Sequence, residues 1–423
     1  MPDNSAYSHE ASTTDAVKNS DRSDETDLFV EGEWRIETLK SLADIRNNAG
    51  RWIELEAQSN DPHAAFQGYA WCEAWAEVYC KPQFGKCEPR VFFISRGETL
   101  VAILPMMVER HMGARVLTLF GEPHSQLANV LTHGEIDVRD GLKLCIEEAA
   151  LLARADVMAL GPIPAKSPLF DVVDRQHLSE DPADYISLCD WPVDQTVEAH
   201  LLSLSKNNRK HFNRKRRQVE ALGQLRFERL TPLDDQFKPL VLLALEWKLQ
   251  WLERKAAFSL GLTRPGFKKF ISAFSGREAS FQPDLDVLFL DEKPISISLN
   301  ITGLGIRHCY MGAYEHSLSE FSPGTLATHY SINRSIENGK SGYSFLGFPT
   351  QFKAIWSNHN IPLYRYQRAL NFKGRLWLQL WTRGLRPFAK KVLIRARSVA
   401  QWPIVGKVLN GVLNLLSKQG KNG

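Results

Sequence analysis

The sequence predicts a mixed α/β protein built from two related units in tandem and followed by a basic tail. Three observations carry this reading. The chain has 423 residues, 43 % hydrophobic and 24 % charged, a composition able to bury real cores at a length suited to about two to four domains. An order of elements (helices, a strand hairpin, a third strand, a helix, a strand) occurs once before residue 161 and again after residue 195. Charge is segregated as well. No acidic residue follows Glu337, where 15 Lys and Arg fall, which leaves 37 basic against 48 acidic residues for 1–337.

Residues 1–27 carry seven acids, two bases and many Ser, Thr and Asn. They bury too little apolar area to offset chain entropy and read as a disordered acidic tail. Helical spacing covers Arg35 to Glu56 and Ala70 to Tyr79, where Trp71, Trp75 and Tyr79 recur every four residues. Arg90 to Arg96 and Thr99 to Val108 flank Gly97-Glu98 and read as a hairpin. Pro105 inside the second run points to a bulge or an edge. Arg115 to Phe120 reads as a strand, Gly141 to Ala155 as a helix and Asp156 to Leu160 as a strand. The second unit opens with helical runs at Thr196 to Leu222 and Pro232 to Arg254. The strand pair Asp286 to Leu290 and Ile295 to Ile301 follows, then Ile306 to Ala313. A helix from Gly324 to Asn338 ends at Gly339, before a strand at Tyr343 to Leu346 and a short helix at Gln351 to Ser357. The boundaries this gives are 28–190 for the first unit, 191–370 for the second and 371–423 for the tail.

Several classes fall away. No run of about 18 apolar residues is present, so no helix is expected to span a bilayer, and the polar, acidic N-terminus is no secretory signal. Six cysteines without a CxxC pair fit reduced thiols in a cytoplasmic protein. The histidines show no HExxH and no cluster with cysteine, so no metal is expected.

The most informative stretch runs from Tyr310 to Trp356. A strand leads into a loop that ends in Ser322-Pro323-Gly324, where a helix starts. Ser is a good N-cap and Pro suits the first helical position. Such a start presents free N–H groups and a positive dipole end, a place for a phosphate. As a helix start alone the tripeptide would be ordinary.

The wider pattern resembles the CelD-like acyltransferases of polysaccharide biosynthesis, within the GNAT superfamily. The residues that carry it are Tyr314, Ser322-Pro323-Gly324, Gly339, Tyr343-Ser344-Phe345-Leu346-Gly347 and Phe352-Lys353-Ala354-Ile355-Trp356. Upstream, the basic helix Ser205 to Gly223, the Trp-rich Glu246-Trp247-Lys248, the strand ending PISISLNI and the segment Phe66 to Trp75 are similar too. The resemblance spans about residues 30–370. It implies tandem GNAT-like domains, as in Fem-type peptidoglycan aminoacyl transferases. Acetyl-CoA or another acyl-CoA would be the donor, with its pyrophosphate at Ser322, Gly324 and Thr325. The acceptor would be an amine or hydroxyl on a sugar, nucleotide sugar or exopolysaccharide precursor. The chain departs from the family where a strand Asp is replaced by Ser344 and where 347–351 lack an acid.

Acyl transfer needs a deprotonated acceptor, a stabilised oxyanion and a proton for the leaving thiolate. Tyr314 and Lys353 are the catalytic candidates, as thiolate acid and as phosphate or acceptor contact. Arg209, Arg214, Glu246 and Trp247 are candidates for substrate binding, and Glu246, His308 and His329 are possible bases. Each also has a plain structural reading. The alternatives are a Fem-like transferase using aminoacyl-tRNA and a non-catalytic accessory protein of a polysaccharide machine.

Lys206 to Arg217 holds seven Lys and Arg in twelve residues, which fits a solvated face or an anionic ligand. Nucleic acid is not expected there, since residues 1–337 are net acidic and only Phe212 interleaves. In 371–423, seven Lys and Arg lie between Lys373 and Arg395. Apolar stripes there, together with Trp377, Trp381 and Trp402, suit either an anionic membrane surface at the inner face or packing on the protein itself.

Overall fold

The computed structural model describes residues 27–81, 87–255, 257, 259–275, 281, 283–347 and 349–380. The expected acidic tail, up to residue 26, and the apolar-basic stripes beyond 380 lie outside the described residues.

The first unit opens with strands β1 (Asp27–Glu31) and β2 (Trp34–Leu39), then helices α1 (Leu42–Asn47), α2 (Ala49–Gln58) and α3 (Tyr69–Tyr79). Strands β3 (Cys87–Arg96), β4 (Thr99–His111), β5 (Ala114–Leu119) and β6 (Leu131–Thr132) follow. Next come α4 (Arg139–Leu152), β7 (Val157–Pro164), α5 (Pro168–Val172) and β8 (Leu178–Asp190). The second unit has α6 (Val197–Ser203), α7 (Lys206–Glu220), β9 (Leu225–Leu230), α8 (Phe237–Arg254), α9 (Leu260–Thr263) and α10 (Phe267–Ser272). It continues with β10 (Pro283–Leu290), β11 (Lys293–Thr302), β12 (Ile306–Tyr314), α11 (Pro323–Glu337), β13 (Gly342–Ser344), α12 (Gln351–Ala354), β14 (His359–Ala369) and α13 (Phe372–Trp377).

Local chemistry sets many of these ends. Ser41 and Asp44 form a reciprocal capping box at α1. The expected single helix from Thr196 to Leu222 is two helices, because Leu204 is extended and Ser205 caps α7 through Asn208 N–H. Arg35 to Leu39 is strand β2, not helix. It pairs with β1 and β3 and hides Ile36 and Leu39 completely. Pro105 sits in an interior strand, neither at an edge nor at a bulge. The β6 pairing of β4 ends at Ile103 and the β5 pairing begins at Met106, so its missing N–H falls in the gap between them.

Both units share one plan. Four antiparallel strands (β2–β3–β4–β5 and β9–β10–β11–β12) lead to a helix (α4, α11) and then to a strand parallel to the fourth (β7 beside β5, β13 beside β12). The units are not separated by a gap in the sheet. The described strands form one sheet in the order β1-β2-β3-β4-β5-β7-β14-β8-β13-β12-β11-β10-β9, with β6 beside β4. At its centre the last strands are exchanged. β14 of the second unit pairs with β7 of the first, and β8 of the first pairs with β13 of the second. The division expected at 190/191 falls at the end of β8, which pairs across it.

Alternation along the strands gives the sheet two apolar faces. One face carries α1, α2, α3, α8 and α10 over a core to which both units contribute, including Trp52, Trp71, Trp75, Phe270, Ile297 and Leu299. On the opposite face, α4 and α5 cover the first unit and α7 and α11 the second.

Candidate active site

Strands β12 and β13 run side by side for three residues only, Ile306–His308 against Gly342–Ser344. Beyond Ser344 the chain stays with β8. Phe345 N–H donates to Ser187 O at 2.8 Å and Ser187 N–H to Leu346 O at 3.2 Å. β12 stays with β11 instead. The two strands part into a wedge, and among the described residues no strand pairs with the outer edge of β12 from Cys309 to Tyr314. Such an edge offers a row of backbone donors and acceptors.

A β-bulge shapes that edge. Leu299 faces Met311 but Asn300 faces Cys309, so Tyr310 is the extra residue. Its ring is fixed among residues of the first unit, 5.4 Å from Trp71 and 6.1 Å from Phe66 between centroids. Its carbonyl accepts from Gln126 Nε2 at 3.3 Å. Two residues on, Gly312 O accepts from Lys248 Nζ at 3.3 Å, and this ammonium also lies 4.6 Å from the Trp251 ring centroid. On the other wall Lys353 Nζ donates to Phe345 O at 2.7 Å and to Gly347 O.

Burial lowers both lysines, Lys353 to about 8. Half-buried Cys309 is close enough to feel both ammonium groups, while burial raises its thiol. Two cations held out of bulk water on opposite walls are suited to an anionic ligand or a developing oxyanion. The same bonds make Lys353 the clamp of the 345–347 turn, where Leu346 takes φ +57°.

At the far end of β12, Tyr314 lies against the start of α11. A Cβ on Gly324 would stand 3.4 Å from Tyr314 Cδ1. Ser322 is not the side-chain cap expected from its type. It takes φ +55° and makes no cap bond, and its carbonyl accepts from Thr325 and Leu326 N–H at 3.0 and 3.2 Å. Leu326 and Ala327 are buried, while Tyr314, Ser322, Gly324 and Thr325 are half-buried and Gly312 is exposed. The accessible part of the helix start is therefore Ser322 to Thr325. A left-handed non-glycine backbone on each wall, at Ser322 and Leu346, is the kind of strain that structures keep at ligand clamps.

The other sequence candidates scatter. Glu246 is exposed beside Gln250 and Trp247 is buried in the shared core, both on α8. Arg209 donates to Leu202 O, and Arg214 is exposed on α7 across the sheet, so these four do not converge. His308 is fully buried with Nε2 at 2.7 Å from Pro62 O, and His329 is buried against Phe212. Burial holds each near 3, so neither is placed as a base at the wedge. Ser344, which stands where the CelD-like resemblance leads one to expect an Asp, is fully buried, and its hydroxyl accepts from Leu346 N–H at 3.1 Å. That hydroxyl is engaged by the turn. Gln126 and the Tyr310 bulge carry no sequence signal, and Lys248 figures there only within the Glu246-Trp247-Lys248 run, since only the fold brings the three to one edge.

Below the wedge a buried charge cluster locks the last paired residues. Arg307 is fully buried and bonds to both Asp284 and Asp286. Asp286 also meets Arg229 at 3.3 Å, so two cations face two carboxylates. Asn300 Nδ2 donates toward Asp284, at 3.4 Å, and Asp286, at 3.3 Å, while its Oδ1 accepts from Tyr343 OH at 3.1 Å. Arg307 and Tyr343 are register partners, so β10, β11, β12 and β13 are tied together where the wedge begins.

The first unit has the corresponding parting, since β5 and β7 pair only at Val116–Leu117 with Val157–Met158. There the chain fills its own gap. Ala128 N–H donates to Pro162 O at 2.7 Å, and Phe120, Leu127, Ala128 and Val130 are buried.

Residues 206–354 match the family model described as an acetyltransferase (GNAT) domain. No curated protein gives a significant match. Among solved structures the chain is similar to FemX, at 11 % identity and TM-score 0.54, covering 78 % of this chain and 98 % of that one. It is also similar to the C-terminal DUF2156 domain of a protein from Agrobacterium fabrum described as a lysylphosphatidylglycerol synthetase, at 14 % identity and TM-score 0.50, covering 81 % and 99 %. A tandem GNAT protein from the clavulanic acid biosynthesis pathway matches at 12 % identity and TM-score 0.44, over 79 % and 98 %. Residues 206–354 thus match an acetyltransferase (GNAT) domain, in a chain that shares the fold of FemX.

Proposed function

We propose that the chain transfers an acyl group, acetyl in the simplest case, from acyl-CoA to an amine or hydroxyl of a sugar or exopolysaccharide precursor. The observation that carries the donor half is the parting of β12 from β13, with Lys248 and Lys353 on its two walls. The pantetheine arm of CoA carries two amides, and an extended arm laid along β12 would pair with its free edge as an added strand. The pyrophosphate would lie toward Ser322, Gly324 and Thr325. Lys248 and Lys353 would offset negative charge on the thioester oxygen as it develops. Tyr314 would supply the proton to the leaving thiolate. Lys353, lowered to about 8, is the wedge residue able to exchange a proton near neutrality.

The sugar acceptor rests on the CelD-like resemblance. The contact of 371–423 with an anionic membrane at the inner face rests instead on its basic residues, apolar stripes and tryptophans. In the described part of that tail, Lys373 pairs with Asp156 at 3.1 Å and Trp377 Nε1 donates to His111 O at 3.0 Å. Any membrane contact of the tail therefore falls to residues after these.

Titration calorimetry with acetyl-CoA, followed by thiol release in the presence of amino sugars and nucleotide sugars, tests the reading. Donor binding with sugar-dependent thiol release is the expected result, and a folded protein that binds no acyl-CoA overturns it. Binding without release on any acceptor would mark an accessory protein. Gly324→Val should weaken acetyl-CoA by at least about tenfold, roughly 1.4 kcal/mol, with an unchanged melting curve, because its side chain would stand over the helix start.

A further inference from the structure

We infer that the outward face of α7, with the corner it makes with α6, seats on an anionic lipid surface. Lys206, Lys210, Arg214 and Arg217 fall within an arc of roughly 80° around the helix, while Phe212 and Val219 point the opposite way into the core. The remaining cations of α7 are engaged by the fold. Arg209 donates to Leu202 O, Lys215 to Glu320 O, and Arg216 lies 3.6 Å from Glu220. Among the described residues, no carboxylate pairs with the four on the stripe. At the α6 corner Leu202 is 73 % exposed.

This chemistry selects a lipid surface over other anions. Among the described residues, the hollow along the stripe is lined by Lys210, Asn213, Arg214, Arg217, Gln218 and Ala221. The aromatic of α7, Phe212, is buried, so the stripe offers no platform on which bases could stack. An exposed aliphatic side chain beside a flat row of cations matches headgroup charge with a shallow apolar layer. The face also has a functional position. α7 packs on α11 through Phe212 and His329, and Lys215 holds the turn before α11, so a leaflet under α7 would lie beside the mouth of the wedge.

The test is co-sedimentation of the full chain with phosphatidylcholine–phosphatidylglycerol vesicles and with pure phosphatidylcholine, at low and high salt. Lys210→Glu/Arg214→Glu should reduce binding to the anionic vesicles by more than about tenfold, each basic residue being worth about fivefold near such a surface. Lys268→Glu/Lys269→Glu on α10 makes the same charge change elsewhere and should stay within about threefold. Leu202→Asp should also weaken binding. Equal losses in both charge pairs, or none in the first, would overturn the proposal. So would tight binding of an RNA oligonucleotide by a chain that ignores the vesicles. Acetyl-CoA affinity is measured separately and stands or falls with the wedge.

Discussion

Arg307→Leu should cost the fold about 3–5 kcal/mol, the usual penalty for removing one side of a buried ion pair. Against a total stability of about 5–15 kcal/mol that is a large share. The reason lies in what remains. Asp284 and Asp286 are 6 % and 0 % exposed, and without the guanidinium Arg229 is, among the described residues, the cation left within 4 Å of Asp286. Adding Asp284→Asn and Asp286→Asn should return part of the loss, since neutral amides are less costly to bury than unpaired carboxylates. Urea midpoints of the three proteins measure it. A single mutant within about 1 kcal/mol of the native chain would show that the cluster is not closed to water. Acetyl-CoA affinity should follow the same order, because these residues fix the strands where the wedge opens.

The protein should lose several kcal/mol of stability between pH 6.5 and pH 5. Burial holds His124, His308 and His329 each near 3, against 6.5 for a free side chain. As pH falls through 6.5 the unfolded chain takes up protons that the folded one refuses, so each histidine favours unfolding by about 1.4 kcal/mol per pH unit. Glu56 acts the other way. Burial raises its carboxyl to about 7 from 4.5, so it binds its proton first in the folded state and adds stability as pH drops from 7 toward 4.5. Asp286, which burial raises to about 6, acts with Glu56 by about 1 kcal/mol, so three terms of about 2 kcal/mol against these two leave a net loss of roughly 3 kcal/mol over that interval. Burial also lowers His63 and His200, which push in the same direction. His308→Gln retains an amide that can donate to Pro62 O, and it should remove roughly 2 kcal/mol of the pH dependence. Equal unfolding midpoints at pH 7.5 and 5 would contradict the assignment.

What could be read from sequence was what neighbours in the chain decide. The Gly97 hairpin, α3, α4, the Ser322-Pro323-Gly324 turn and the Gly339 end all rest on local backbone preferences, and all lie where expected. Strand β2 was lost because the helical spacing of Leu42 to Glu56 ran back over six residues that alternate only briefly. β9 and β14 were missed for a different reason. LRFERL is short and amphipathic, and Pro362 interrupts the pattern of His359–Ala369, so neither stands out before its partners are known. At the site, Tyr314, Gly324 and Lys353 belong to one continuous segment and could be named together. Lys248 and Gln126 approach the same strand edge from 64 and 184 residues away, a proximity that no spacing rule encodes. The substrate set Arg209, Arg214, Glu246 and Trp247 failed to converge for the converse reason, since helices adjacent in sequence were sent to opposite faces of the sheet.

The exchanged central strands set a timetable for biosynthesis. β7 ends at Pro164 and its partner β14 begins at His359, so about 195 residues must leave the ribosome before the first unit's inner edge is covered. At ordinary synthesis rates of about 5–20 residues per second the delay is roughly 10–40 s. Throughout it β7 and β8 wait as unpaired edges on a nascent chain, the condition in which strands recruit the wrong neighbour. Ribosome-bound chains stalled before residue 359 should therefore lean on chaperones far more than chains stalled after residue 380.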